Sequence, residues 1–232
     1  MPGEDIGIVG WQKNSFIDFP GTVSTVLFFR GCNLRCPYCH NPDIVNNLLP
    51  FIPFSEIDSF LEKRKNVING VVLSGGEPTL HANLPAFVEM LHAKGFLVKL
   101  DTNGLNSHVV RQCKIDYCAL DIKTVTTGYG ALGYKKNDAQ EMLDESIEIV
   151  RSFGERAEVR ITVARPFVND ENIDKIGAQI KGVAQVFLQK LEFKNQVLNK
   201  AILPQQEIIP EILERYRVIL SNYVGNCSVR GV

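Results

Sequence analysis

The chain has 232 residues, a formal net charge of −1, and 45% hydrophobic against 22% charged residues. Such a chain can bury a substantial core, and its near-neutral charge excludes a broad field for gathering nucleic acid or an anionic membrane surface. No apolar run approaches the ~18 residues of a membrane span, and "MPGEDIGIVGWQ" lacks the basic and apolar regions of a leader. The expectation is a soluble, cytoplasmic protein.

Residues 1–22 read as a segment preceding the first strand. "VSTVLFFRG" (Val23–Gly31) is apolar, β-branched and closed by glycine, which predicts a buried strand leading into "RGCNLRCPYCHNP". Ser55 is expected to cap a helix over "SEIDSFLEKRKN", before "GVVLSGGEP", a strand stopped by two glycines and a proline. "LPAFVEMLHAKG" predicts an amphipathic helix with Gly95 as its C-cap. "FLVKLDTNG" and "DYCALDIKT" predict two more strands, with a short helix over Ser107–Cys113 between them. "NDAQEMLDESIEIVRSFG" is a long helix, "AEVRITVARP" a fifth strand, Glu171–Lys181 a helix and "AQVFLQKLE" a sixth strand. A last helix in "PQQEIIPEILERYRVIL", interrupted or started by Pro210, precedes a closing strand at Asn226–Val232.

Buried strands alternating with helices imply a parallel sheet with right-handed crossovers. Six such units are too few for a closed eight-stranded barrel, so a partial open barrel or a doubly wound sheet remains. In either, ligands collect at the C-terminal ends of the strands. The polar residues follow that rule: Cys32 after the first strand, Gly75-Gly76-Glu77 after the second, Asp101-Thr102-Asn103 at the third, Asp121 and Lys123 at the fourth, Arg160 on the fifth. Packing does not explain charges at one rim; a site does.

Cys32, Cys36 and Cys39, with His40 adjacent, allow a zinc knot, a disulfide staple or an open-sided iron–sulfur cluster. A staple wastes one thiol, and clustered thiols in a cytosol more often bind metal or react. Zinc would need neighbouring Cys39 and His40 on one tetrahedral ion, against the usual ligand spacing. Gly75 and Gly76 permit close backbone approach, and Glu77 offers a carboxylate to a cationic group. Asp101 and Asp121 can accept from ribose hydroxyls, while Lys123 can pair with a carboxylate. At i, i+2 on one strand, Asp121 and Lys123 can equally pair with each other. Ammonium, carboxylate and ribose beside a metal cluster are what S-adenosylmethionine presents. Cys113, Cys118 and Cys227 read as structural thiols.

Cys-x3-Cys-x-aromatic-Cys, then "SGGEP" and "LDTNG", resembles the radical S-adenosylmethionine superfamily over nearly the whole chain. "WQKNSFIDFPG" and "CPYCHNPD" are similar to glycyl-radical-enzyme activases, with the activating proteins of anaerobic ribonucleoside-triphosphate reductase the nearest in pattern. The resemblance implies an α/β fold, an incomplete (β/α)6 barrel forming one domain over 1–232, with the helix and strand of 204–232 packed on it. It implies a [4Fe–4S] cluster on Cys32, Cys36 and Cys39, whose fourth iron takes the methionine amino and carboxylate groups of S-adenosylmethionine. Tyr38, Cys39 and His40 would approach adenine; Gly75, Gly76 and Glu77 the amino group; Asp121 the ribose; Lys123 the carboxylate. Asp101, Thr102, Asp121 and the backbone around Ala119 match a monovalent-cation site. The implied reaction is reductive cleavage to methionine and a 5′-deoxyadenosyl radical, with a flavodoxin- or ferredoxin-like electron donor and a glycyl-radical enzyme as partner. The alternative is a small-molecule enzyme such as 7-carboxy-7-deazaguanine synthase or, further off, a zinc-binding interaction module. One departure stands out. Lyase activases carry a histidine near the sixth strand, whereas the histidines here are at 40, 81, 92 and 108, and no residue is assigned that adenine contact. Residues 16–21, 126–136 and 193–203 are the segments expected to face a partner, the middle one as a loop that orders on contact.

Overall fold

A computed structural model describes residues 6–192, 196–203 and 209–231. They fall into two compact units. The first takes in the chain up to Cys32, Asp43–Thr102 and His108–Cys118. Its opening strand, β1 (Ile8–Ser15), runs antiparallel to β2 (Ser24–Phe29), with irregular register at Ile8/Gly10 and Gln12/Ser15. The stretch before Val23 therefore holds a strand that the sequence reading left unassigned. Its exposed Gln12–Asn14 and bulges break the alternation that would mark it. Trp11 anchors it, donating from Nε1 to Thr25 Oγ1 at 2.7 Å and meeting Phe60 edge-on at 4.8 Å.

The short helix α1 (Pro42–Val45) follows the cysteines, and α2 (Phe54–Arg64) buries Ile57 and Leu61. Pro53, not Ser55, takes the cap position of α2, with no side-chain cap bond. Proline ahead of the first turn presets the entry instead. β3 (Gly70–Gly75) pairs in parallel with β2, Phe29 opposite Gly75, and with β4 (Leu97–Thr102). Between them α3 (Leu84–Ala93) buries Leu84, Phe87, Val88 and Leu91. Gly95, at φ +91°, is the left-handed residue just past its cap: Phe96 N–H bonds Leu91 O and Gly95 N–H bonds His92 O. Val71, Val72, Leu73, Val98 and Leu100 are completely buried, so both faces of these strands are covered, as parallel strands require.

Helix α4 (Ser107–Gln112) leads to β5 (Tyr117–Asp121), which passes from the first unit into the second after Cys118. The second unit also contains Asn33–Pro42 and Asn103–Ser107. In it, α5 (Ala139–Phe153) buries Leu143, Ile147 and Val150, and β6 (Ala157–Val163), β7 (Gln185–Lys190) and β8 (Asn226–Arg230) hydrogen-bond in parallel in that order. Helices α6 (Ile173–Gln179) and α7 (Pro210–Leu220) complete it, the latter started by Pro210. Residues 204–208 of the expected last helix, and 193–195 of the third partner-facing segment, lie outside the described residues.

Candidate functional site

In the first unit the strand ends are welded to the backbone that carries the first thiol. Gly76 N–H donates to Phe29 O at 2.9 Å and Glu77 N–H to Gly31 O at 2.8 Å. Gly75 sits at φ +109°, and a Cβ there would stand 2.5 Å from Phe29 N. A Cβ on Gly76 would stand 1.8 Å from Gly31 O. No residue with a side chain fits between these backbones, which is why the turn carries two glycines. Cys32, half-buried, follows Gly31 directly.

Glu77 is 1% exposed, and its Oε1 accepts from Thr79 N (3.1 Å), Thr79 Oγ1 (2.6 Å) and Thr102 Oγ1 (2.8 Å). That oxygen braces the end of β3 to the end of β4, a role the sequence reading did not foresee. Asp101, expected to meet ribose hydroxyls, accepts from Ser74 Oγ at 3.0 Å and from Lys99 Nζ at 2.5 Å.

The second unit carries the other two thiols. Cys39 N–H donates to Cys36 O at 3.0 Å, closing a tight turn with a thiol at each end. Four further bonds hold this loop: Arg35 N–H to Leu132 O (2.6 Å), Asn199 N–H to Pro37 O (2.9 Å), Leu198 N–H to Cys39 O (3.1 Å), and Asn103 Nδ2 to Asn33 Oδ1 (2.7 Å). The segment around Leu132 is thus built into the loop's support. Residues Thr126–Leu132 form a 3-10 helix with Tyr129 and Leu132 fully buried, not the loop awaiting a partner that glycine content suggested. Its tyrosines are anchors: Lys123 N–H donates to Tyr129 Oη at 3.2 Å, and Tyr134 Oη to Asp138 at 2.6 Å.

Around Cys36 the charges are few and close. Burial pushes its thiol up to about 11, and the Lys123 ammonium pulls the other way. Lys123 Nζ lies 3.2 Å from Asp121 Oδ2, so the two do pair. Asp121 is also gripped by Arg160, from Nε to Oδ1 at 2.8 Å and from the terminal nitrogen to Oδ2 at 3.1 Å. Burial raises the Asp121 carboxyl, but Arg160 and Lys123 overcome this and hold it well below the usual carboxylate range. Burial likewise works against the Lys123 ammonium, and Asp121 followed by Cys36 outweighs it. Tyr38 is buried against Phe167, its phenol raised well above normal by burial and then by Cys36, and its Oη has no hydrogen-bond partner of good geometry. His40 is exposed. Sequence reasoning had placed Arg160 and Asn103 at the rim without giving either a role, and it missed Tyr129; only their partners reveal what they do.

Among the described residues, no three His, Cys, Asp or Glu side chains close up as a ready metal cage. All six thiols are free, so the disulfide staple is absent. The cysteine spacing suits a thiolate-ligated iron cluster: Cys36 and Cys39 close one tight turn, Cys32 precedes them in the sequence, and the part-buried Lys123 ammonium beside Cys36 works toward its thiolate. A zinc knot through exposed His40 and buried Cys36 fits less well.

The other thiols are inert by environment. Burial pushes Cys113 up to about 12 and Cys227 to about 11. At pH 8 such groups are thiolate to roughly one part in a thousand or less, against about a quarter for a free cysteine. In folded, cluster-free protein, alkylation with iodoacetamide followed by peptide mass mapping should modify half-buried Cys32 and Cys39 first and leave Cys113 and Cys227 unmodified until the chain unfolds. Labelling of Cys227 at the rate of Cys39 would contradict this.

Three comparisons place the chain among known proteins. A family model described as the radical SAM superfamily matches residues 26–180. A Methanocaldococcus jannaschii protein named as a glycyl-radical enzyme activating enzyme is 29% identical over 236 residues, covering 94% of this chain and 93% of that one. The pyruvate formate-lyase-activating enzyme of Clostridium pasteurianum is 30% identical over 195 residues, covering 75% and 76%. Among solved structures, QueE from Escherichia coli superposes with a TM-score of 0.56 over 97% of this chain and 93% of that one, at 16% identity, a likeness of fold.

Proposed function

Because the chain belongs to the radical SAM superfamily, an α/β partial-barrel family of enzymes, we propose that it cleaves S-adenosylmethionine reductively and uses the product to install a glycyl radical on a partner enzyme. The partner class we assign is anaerobic ribonucleoside-triphosphate reductase or a related glycyl-radical enzyme, and the electron source a flavodoxin or ferredoxin. The observation that carries this reading is the match, along 94% of the chain, to a protein named as a glycyl-radical enzyme activating enzyme. A [4Fe–4S] cluster, held by Cys32, Cys36 and Cys39, would supply the electron that breaks the sulfonium bond.

The chain's own residues do the holding. Lys123 is poised to take a substrate carboxylate, and the cost of leaving Asp121 is small because Arg160 keeps that carboxylate doubly bonded. A buried acid stripped of its only cation would be strongly destabilised; this one is not stripped. Asp121 and Lys123 stay charged, pre-oriented partners for ribose hydroxyl and carboxylate. To the strand-end backbone at Gly75, Gly76 and Glu77 we assign the contact with the ligand ammonium. Toward the partner, Phe16 and Ile17 are 77% and 87% exposed on a turn locked by Ser15, whose Oγ donates to Asp18 Oδ2 at 2.5 Å and accepts from Ile17 and Asp18 N–H. Two large apolar side chains on a rigid turn suit contact with a protein loop.

Lys123→Ala should leave the cluster absorbance unchanged and weaken S-adenosylmethionine binding by about 10- to 100-fold, the loss of one charge-assisted bond worth ~1.5–3 kcal/mol. An unchanged dissociation constant would mean that Lys123 serves Asp121 alone. The function itself is tested by anaerobic incubation with reductant, S-adenosylmethionine and a peptide carrying the glycine loop of a candidate reductase. Deuterium placed on the glycine Cα should appear in 5′-deoxyadenosine. Turnover of 6-carboxytetrahydropterin, with no transfer from any glycine loop, would overturn the activase reading in favour of the small-molecule one.

A further inference from the structure

Lys99 stands where a lysine is least expected. It lies in the middle of β4 between Val98 and Leu100, both fully buried, and its own side chain is 2% exposed. Buried ammonium groups persist only when paired. Two residues along the same face is Asp101, whose Oδ1 is 2.5 Å from Lys99 Nζ and whose Oδ2 accepts from Ser74 Oγ. The face of Tyr117 lies 5.9 Å from the same ammonium, a second favourable contact for a desolvated cation. Strand geometry fixes the pair: neither side chain can reach another face without a register shift of β4 against β3, which is pinned by Leu73 opposite Leu100.

Asp101 is the residue that the resemblance assigned to a monovalent-cation site. The fit fails at this carboxylate. A sodium or potassium ion bound there would share Asp101 with an ammonium already in contact, like charge against like charge with little water to screen them. Independently, in the second unit, Asp121 has its charge balanced by Arg160 and Lys123.

We infer that Lys99 is a built-in counter-ion that takes the place of a solvent monovalent cation at Asp101, so that S-adenosylmethionine binding by this enzyme is independent of sodium and potassium. The inference rests on the proposed use of S-adenosylmethionine. The lysine acts through Asp101 and is therefore a positioning residue; nothing requires it to touch substrate.

The test compares cluster-loaded protein in buffers of equal ionic strength in which tetramethylammonium, sodium or potassium is the only monovalent cation. Wild-type protein should bind S-adenosylmethionine with a dissociation constant that changes less than twofold among the three. Thallium-205 resonance, a direct probe of a potassium-type site, should show no saturable binding with or without S-adenosylmethionine. In Lys99→Met, which keeps length and removes charge, affinity should become cation-dependent by fivefold or more, with saturable thallium binding. Lys99→Gln gives the same comparison should the methionine variant fold poorly, and a Lys99→Arg variant should remain cation-independent. Saturable thallium binding to the wild type, or a fivefold gain of its affinity in potassium, would overturn the inference. Failure to bind S-adenosylmethionine in every buffer would instead overturn the proposed function, so the two failures are distinguishable.

Discussion

Replacing Cys36 with alanine should abolish iron–sulfur absorbance and S-adenosylmethionine cleavage together, while the fold survives. Deleting one heavy atom from a buried site costs on the order of 1 kcal/mol, and the loop around Cys36 is held by backbone bonds from Leu132, Leu198 and Asn199 that the substitution does not touch. The cluster has no such reserve. Cys113, Cys118 and Cys227 are buried in their own packing, and His40 is exposed rather than turned into the loop. Visible absorbance and iron content after anaerobic reconstitution check the first half of the result, and circular dichroism the second. A full cluster in this variant would show that another thiol completes the ligand set.

Gly76→Ala should be nearly as damaging by a different route. Its Cβ would overlap the Gly31 carbonyl at 1.8 Å, and the obstacle is backbone, with no rotamer to yield. Overpacking of this kind costs ~1–3 kcal/mol where side chains can move. Here the upper end applies, about 3 kcal/mol, a fall of roughly 6–12 °C in Tm for a chain of this size. Relief by shifting Gly31 would displace Cys32, so cluster content should drop along with stability. Gly130→Ala is the control: nothing lies within 4 Å of its added Cβ, and stability should stay within about 0.5 kcal/mol of wild type. Equal cluster content in Gly76→Ala and wild type would mean that this turn does not position the cysteine loop.

The helices and buried strands were legible because their patterns are local. Val71–Leu73, Leu84–Leu91 and Leu143–Val150 announce their burial by spacing alone, and the observed ends fall close to those expected. Where the expectation failed, the cause was not local. β1 exists because Trp11 and its neighbours find β2, and bulges erase the alternation that would have shown it. Glycine and tyrosine in "TGYGALGYKK" looked like a flexible loop; burial of Tyr129 and the bond that Leu132 O accepts from Arg35 N–H make it a strut.

The sequence by itself determined which chemistry this protein can attempt. Three thiols spaced for one loop, two glycines after a strand, and an acid and a lysine ending another are properties of residue type and interval, independent of how the chain packs. What only the tertiary structure decided is which charges neutralise which. That Arg160, 39 residues from Asp121, takes both oxygens of its carboxylate could not be read from spacing. Nor could it be read that Lys99 closes off Asp101, or that Glu77 braces Thr102 from within the fold. The physical reason is range: periodicity is set by neighbours along the chain, whereas the electrostatic state of a buried group is set by whatever the fold brings within a few ångströms of it.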